Sequence, residues 1–182
     1  MSRTTRLTVI AAAAAVLSGA TIAPASHAGA EELVFENRKV KSDPPEGSPE
    51  VATLDVPADW VRNRLNWHSV GFFDLTAPGK SIVLDLEPLE DTVREVRAER
   101  RLLRGLGPSD YREYAFRVAD PGSKVRVRWV YAHRDSQTED TWSYTSVFLM
   151  RGNRLVIDGR RSEREELKPI RRHVVRSVEF PG

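Results

Sequence analysis

Alternation of apolar and polar residues organises most of the chain after residue 50. Val51 to Val56 reads as a strand that stops at Pro57. Val70 to Leu75 reads as another, with Thr76-Ala77-Pro78-Gly79 as its turn. From Ser81 to Glu87 the alternation is clean: Ile82, Leu84 and Leu86 share one face, and Ser81, Val83, Asp85 and Glu87 the other. Pro88 ends the run, and the period then changes. Thr92-Val93-Arg94-Glu95 has the form of a capping box, in which hydroxyl and carboxylate satisfy backbone donors that a helix start leaves free. Leu89, Val93, Val96, Leu102, Leu103 and Leu106 recur at helical spacing, and Gly105 and Gly107-Pro108 stop the helix.

Four strands are expected next. Tyr114, Phe116 and Val118 alternate before the turn Asp120-Pro121-Gly122. Val125, Val127, Trp129 and Tyr131 share a face, with Arg126 and Arg128 opposite. After a polar loop from His133 to Asp140, Trp142, Tyr144, Ser146, Phe148 and Met150 point inward, Arg151-Gly152-Asn153 turns, and Leu155 and Ile157 continue. A second capping box, Ser162-Glu163-Arg164-Glu165, precedes Leu167, Ile170 and Val174 at helical spacing. Pro169 should kink that helix or be its first residue. Ser177-Val178-Glu179-Phe180 reads as a short closing strand. Strands, a helix, an antiparallel meander and a final helix define one α+β domain over 51–182 rather than a parallel α/β fold.

The residues before 51 read differently. Arg3 and Arg6 precede an apolar run, Leu7 to Leu17, too short to span a bilayer, which needs about 20 residues. Ser26-His27-Ala28 places small residues for signal-peptide cleavage after Ala28, with Ala30 as a near equivalent. A secretory signal peptide over 1–28 and an extracellular protein are therefore expected. Residues 29–50, acidic and interrupted by Pro44-Pro45 and Gly47-Ser48-Pro49, read as a linker. With no cysteine in the sequence, neither disulfides nor a lipid anchor are expected, and the processed chain should be a soluble monomer.

Charge refines this picture. Removing Arg3 and Arg6 from the 28 basic residues leaves 26 against 26 acids, so the processed chain is formally neutral and nucleic acid is an unsuitable partner. The charges are segregated, however: eight acids crowd residues 31–59, and nine bases residues 151–176. Such segregation most simply reflects pairing within the chain.

Val56-Pro57-Ala58-Asp59-Trp60, followed by a strand, a long helix, the Val125–Tyr131 and Trp142–Met150 hairpin and a helix ending in Ser177-Val178-Glu179-Phe180, resembles the PsbP-like family. The resemblance spans about residues 50–181. It extends to a Ran-binding nuclear import factor of the same fold, and more closely to the LpqN-type exported proteins of actinobacteria. It implies an antiparallel β-sheet packed between helices, and a protein that binds partners rather than turning over substrate. No residues match the metal-related positions of PsbP, so neither metal nor other cofactor is implied.

Candidate chemistry is sparse. His68, His133 and His173 are dispersed without a second ligand at metal spacing. His133-Arg134-Asp135-Ser136 holds the letters of a triad, but adjacent residues cannot face one another across a site. A secreted hydrolase with a site assembled from distant residues is the alternative reading, and a purely structural interaction protein the third. Asp85 and Glu87 are expected to pair with Arg126 and Arg128 across strands. Trp60 is expected under the sheet edge, and Trp67 as an exposed contact. Arg94, Arg97, Arg101 and Arg104 occupy an arc of roughly 80° on the first helix, an arrangement suited to rows of phosphates or carboxylates. The expected partner is a protein or an anionic envelope polymer; neutralisation by the acidic 31–59 segment is the competing expectation.

Overall fold

In chain order the elements are β1 (Phe35–Lys41), β2 (Val51–Pro57), β3 (Val61–Arg64), β4 (Ser69–Phe73), β5 (Ser81–Asp85), α1 (Thr92–Arg104), β6 (Tyr111–Val118), β7 (Val127–Arg134), β8 (Trp142–Met150), β9 (Asn153–Arg160) and α2 (Arg164–Ser177). They come from a computed structural model that describes residues 33–45, 49–86, 92–107, 109–134 and 142–180. The expected signal peptide, Glu87 and Leu89 lie outside the described residues, as does the side chain of Thr92.

Seven strands form one antiparallel sheet in the order β3-β4-β5-β9-β8-β7-β6, and β1 and β2 form a separate hairpin. One face of the large sheet carries Phe72, Ile82, Leu84, Leu155, Ile157 and Phe148. Against it pack Leu167, Ile170 and Val174 of α2 and Val40, Ala52, Leu54 and Val56 of the hairpin. The other face carries Val127, Trp129, Tyr131, Val147 and Leu149 under Val96 of α1. The sheet thus lies between helices, as an α+β sandwich should. The clean alternation of Ile82, Leu84 and Leu86 translates directly, since all three are fully buried. Arg151 and Gly152, both at positive φ, make the two-residue turn between β8 and β9, matching the twist of an antiparallel hairpin.

The expected linker is only partly one. Residues 35–41 pair with all of β2, and Val40 is fully buried. Ser42 closes the connection, its N–H donating to the Glu50 carbonyl and its hydroxyl accepting the Glu50 N–H at 2.8 Å. β1 forms because β2 supplies a partner, while its own sequence buries almost nothing. Leu102 also departs from expectation: at 58% exposure it lies outside the contact face of α1, which rests on Val96, Val93 and Leu103.

The start of α2 is offset from the expected capping box. A short 3-10 turn, Arg161–Glu163, precedes it, and the Glu163 carboxylate accepts the Arg160 N–H at 2.7 Å. Glu165 instead faces Lys168 at 2.5 Å. Pro169 lies inside the helix rather than at its start, where it removes one intrahelical donor. The chain end returns beside β2 through two backbone hydrogen bonds between Thr53 and Glu179.

Candidate anion-binding surfaces

The arginine stripe on α1 is fully outward. Arg94, Arg97, Arg101 and Arg104 are all exposed. Arg100, between them, is turned inward and forks onto Glu113 of β6, its Nε and Nη2 each donating at 2.6 Å. That fork, ahead of the opposing effect of burial, holds the Glu113 carboxyl below its ordinary range. Tyr111 donates to Glu113 at 2.9 Å and accepts from the Trp129 indole at 3.2 Å, and burial above all pushes its phenol up to about 12. An open cleft of about 310 Å³ lined by Arg104, Gly107, Tyr111 and Glu113 lies beside this group. Its carboxylate is already engaged, so Arg104 is the cation it offers.

Among the described residues, no acid of the 31–59 segment pairs with the stripe. The hairpin that carries the segment packs on the sheet face opposite α1. Its charges meet local partners instead: Glu36 with Arg38, and Asp55 with Asn37 and His173. Asp85 does not pair with Arg126 or Arg128 either. β5 lies between β4 and β9, with β9 and β8 separating it from β7, and Asp85 contacts His68 Nδ1 at 2.5 Å. Ser69 Oγ meets the same ring nitrogen at 3.0 Å. Asp85 and Ser69 thus share one ring nitrogen, whereas a nucleophile–base–acid relay uses both. His173 stacks on Phe35 with ring centroids 3.9 Å apart. Trp67 is exposed at 40%, its ring edge-on to His68.

The strongest basic surface lies on the other side of the sheet. Arg161, Arg164, Lys168 and Arg171 follow the same i, i+3, i+7, i+10 spacing as the α1 stripe, but here Arg161 and Arg171 reach side chains of β8 and Arg164 one of the edge strand β6, while Lys168 pairs with Glu165. Arg161 sits 5.0 Å from the Trp142 ring centroid. Arg164 and Arg112 sit 4.7 and 5.7 Å from that of Tyr114. Arg171 donates to the Tyr144 hydroxyl at 2.8 Å and to Ser146 Oγ at 3.3 Å. Arg117 and Arg128 are direct cross-strand partners. Burial first, then Arg171 and Arg117, hold the Arg128 guanidinium below its ordinary range. Among the described residues, no carboxylate forms an ion pair with Arg112, Arg117, Arg128 or Arg171. Between the arginines, Ala115, Val130 and Ala132 give a small, apolar floor.

No known protein family matches the sequence, and no curated protein matches it. Among solved structures, the solution structure of cyanobacterial PsbP (CyanoP) from Synechocystis sp. PCC 6803 superposes with a TM-score of 0.50 at 15% identity, covering 87% of this chain and 100% of that one. The fold is PsbP-like. What was expected from the Pro57–Trp60 signature and the order of elements holds at the level of architecture.

Within the PsbP-like sandwich, the α2 strip is what sequence reasoning missed. Its spacing was visible in the helix, but the three strand arginines that complete it come from Arg112, Arg117 and Arg128, scattered among residues expected to face water. A bulge in β6 adds to this: the register shifts between Glu113 and Ala115, so Tyr114 and Ala115 both turn toward α2. A second unforeseen group is a polar row beneath α1. Ser81, Asp158, Thr145, Tyr131 and Glu113 lie side by side across five strands. Glu99 of α1 reaches Arg154 of β9 at 3.0 Å beside them. Burial pushes the Asp158 carboxyl up to about 6, against a hydrogen bond from Thr145 and the charge of Arg154.

Proposed function

We propose that this protein is a non-catalytic, exported binding or accessory protein of the LpqN-like kind, acting in the cell envelope or outside the cell, and that it holds an anionic partner on the α2 strip. One observation carries the reading: Arg117, Arg128 and Arg171 gather, with Arg112 further along the same face, and none of the four has a paired carboxylate among the described residues. Folding alone gives no reason to gather like charges, whereas a bound anion does.

Fluorescence anisotropy with labelled polyanions tests it. An Arg112→Gln/Arg164→Gln/Arg171→Gln variant should bind about tenfold more weakly than wild type, a difference of about 1.4 kcal/mol. Affinity of the wild type should fall as salt rises, because the screening length shrinks from about 10 Å at 0.1 M to about 3 Å at 1 M. A quadruple Arg→Gln variant of the α1 stripe should bind as wild type does. Loss of binding in the α1 variant alone would move the site to the opposite face.

Export has its own test. Intact mass of the protein recovered from culture supernatant should correspond to a chain beginning at Gly29 or Glu31. Recovery of the full-length chain from the cytosol alone would remove the extracellular part of the reading.

A further inference from the structure

Building on the anion-binding reading, we infer that the Arg117–Arg128–Arg171 end of the strip seats a phosphate group, and that the ligand is an extended, soluble phosphate polymer. Arg117 and Arg128 are directly opposed on neighbouring strands, and Arg171 adds a third guanidinium from α2. Like charges directly opposed across strands destabilise a sheet. Arg171 is fixed by hydrogen bonds to Tyr144 and Ser146, neutral acceptors, and Glu165, which pairs with Lys168, acts on it only at a distance. A carboxylate offers two coplanar oxygens and is satisfied by one guanidinium fork. A phosphate offers oxygens in several directions and can be shared among three.

A second anion position lies at Tyr114, over whose ring Arg112 and Arg164 both sit, Arg164 with Glu165 4.0 Å from its Nε and Arg112 without a paired carboxylate among the described residues. Arg164 and Arg171 are seven residues apart on one helix, a span of about 10 Å. Two anion positions at that distance fit a chain carrying repeated phosphates better than a single small ion. The aromatic rings argue against a single-stranded nucleic acid. Guanidiniums already sit over Tyr114 and Trp142, on the faces where bases would stack. A bilayer is also disfavoured, because among the described residues Val61, Leu65 and Trp67 are exposed at or beside β3, the opposite edge of the sheet, and Leu102 and Leu106 on or just after α1, on the sheet's other face.

The test compares short-chain inorganic polyphosphate, poly-L-glutamate of matched charge, and phosphatidylglycerol vesicles as probes for the full processed protein. Polyphosphate should bind at least about tenfold more tightly than polyglutamate. An Arg117→Gln/Arg128→Gln/Arg171→Gln variant should lose that preference and melt no lower than wild type, since it relieves repulsion. If that variant melts lower, Arg128→Lys decides. It keeps the charge but loses the fork, and should still bind polyphosphate several-fold more weakly; unchanged binding overturns the inference. Equal or tighter binding of polyglutamate, or strip-dependent binding to vesicles that matches polyphosphate, overturns the phosphate-polymer assignment and leaves the anion-binding reading standing. If the strip variants bind every probe as wild type does, both fall.

Discussion

Trp60→Ala is expected to destabilise the fold by about 3–5 kcal/mol, the usual cost of deleting a buried large aromatic. Trp60 follows β2 at the point where the chain leaves the hairpin, is only 4% exposed, and belongs to the core shared by the hairpin, α2 and the sheet. Removing the indole leaves a cavity bordered by elements that the rest of the core already fixes, so little collapse can refill it. Against a typical total stability of roughly 5–15 kcal/mol, that loss is a large fraction. Chemical denaturation of the purified protein measures it directly. A variant that unfolds at the wild-type denaturant concentration would show that the side chain carries no packing energy.

Asp158→Asn is expected to act in the opposite direction, and to do so only above mild acidity. The Asp158 carboxyl titrates at about 6 in the folded protein, above its ordinary value of 3.8. The folded state therefore holds its proton more tightly than the unfolded state does. Below the unfolded value both states are protonated and the group contributes nothing. Between the two values the folded state loses stability as pH rises, and above about 6 the full penalty is present. A tenfold change in proton affinity is worth about 1.36 kcal/mol, and because the side chain is not sealed from water the expected gain from Asn is about 2 kcal/mol at pH 8. The groups that face it are Thr145, Tyr131, Ser81, Arg154 and, from α1, Glu99. Asn can still accept the Thr145 hydroxyl, and Arg154 keeps Glu99, so the substitution removes the charge without orphaning its neighbours. Thermal melts of wild type and variant should diverge at pH 8 and converge below pH 4; a constant difference at both would assign the effect to packing instead.

Much of the sandwich was legible because its strands alternate and its turns carry glycine at the required positions. β5 is the plainest case, and the Arg151–Gly152 turn another. β1 and β3 were not legible. Val61–Arg64 is exposed throughout, and Phe35–Lys41 buries chiefly Val40, so neither leaves a period to read. Their hydrogen-bond partners in β2 and β4 make them strands. The binding surface was less legible still. Spacing along one helix can nominate a stripe, as it did for Arg94 to Arg104, but it cannot say which helix face meets other arginines. The α2 strip needs residues 112, 117 and 128 beside 161–171, and only the β6-β7-β8 order with its register brings them together. Charge segregation misled for the same reason. The hairpin and α2 share one face, but among the described residues the hairpin acids pair with Arg38 and His173 and not with the arginines of the strip.

The edge strand β6 serves two layers at once, and the extra residue adds a ring to one of them without disturbing the other. Ahead of it, Tyr111 and Glu113 serve the layer under α1 and Arg112 serves the strip; beyond it, Phe116 and Val118 return to the first and Arg117 to the second. Deleting Tyr114 would restore plain alternation, because Glu113 pairs with Tyr131 and Ala115 with the adjacent Val130; Phe116 would stay under α1 and Arg117 in the strip. What would go is the ring that Arg112 and Arg164 lie over. A homologue with one residue fewer between Tyr111 and Val118 should therefore keep both layers and lose only that aromatic seat.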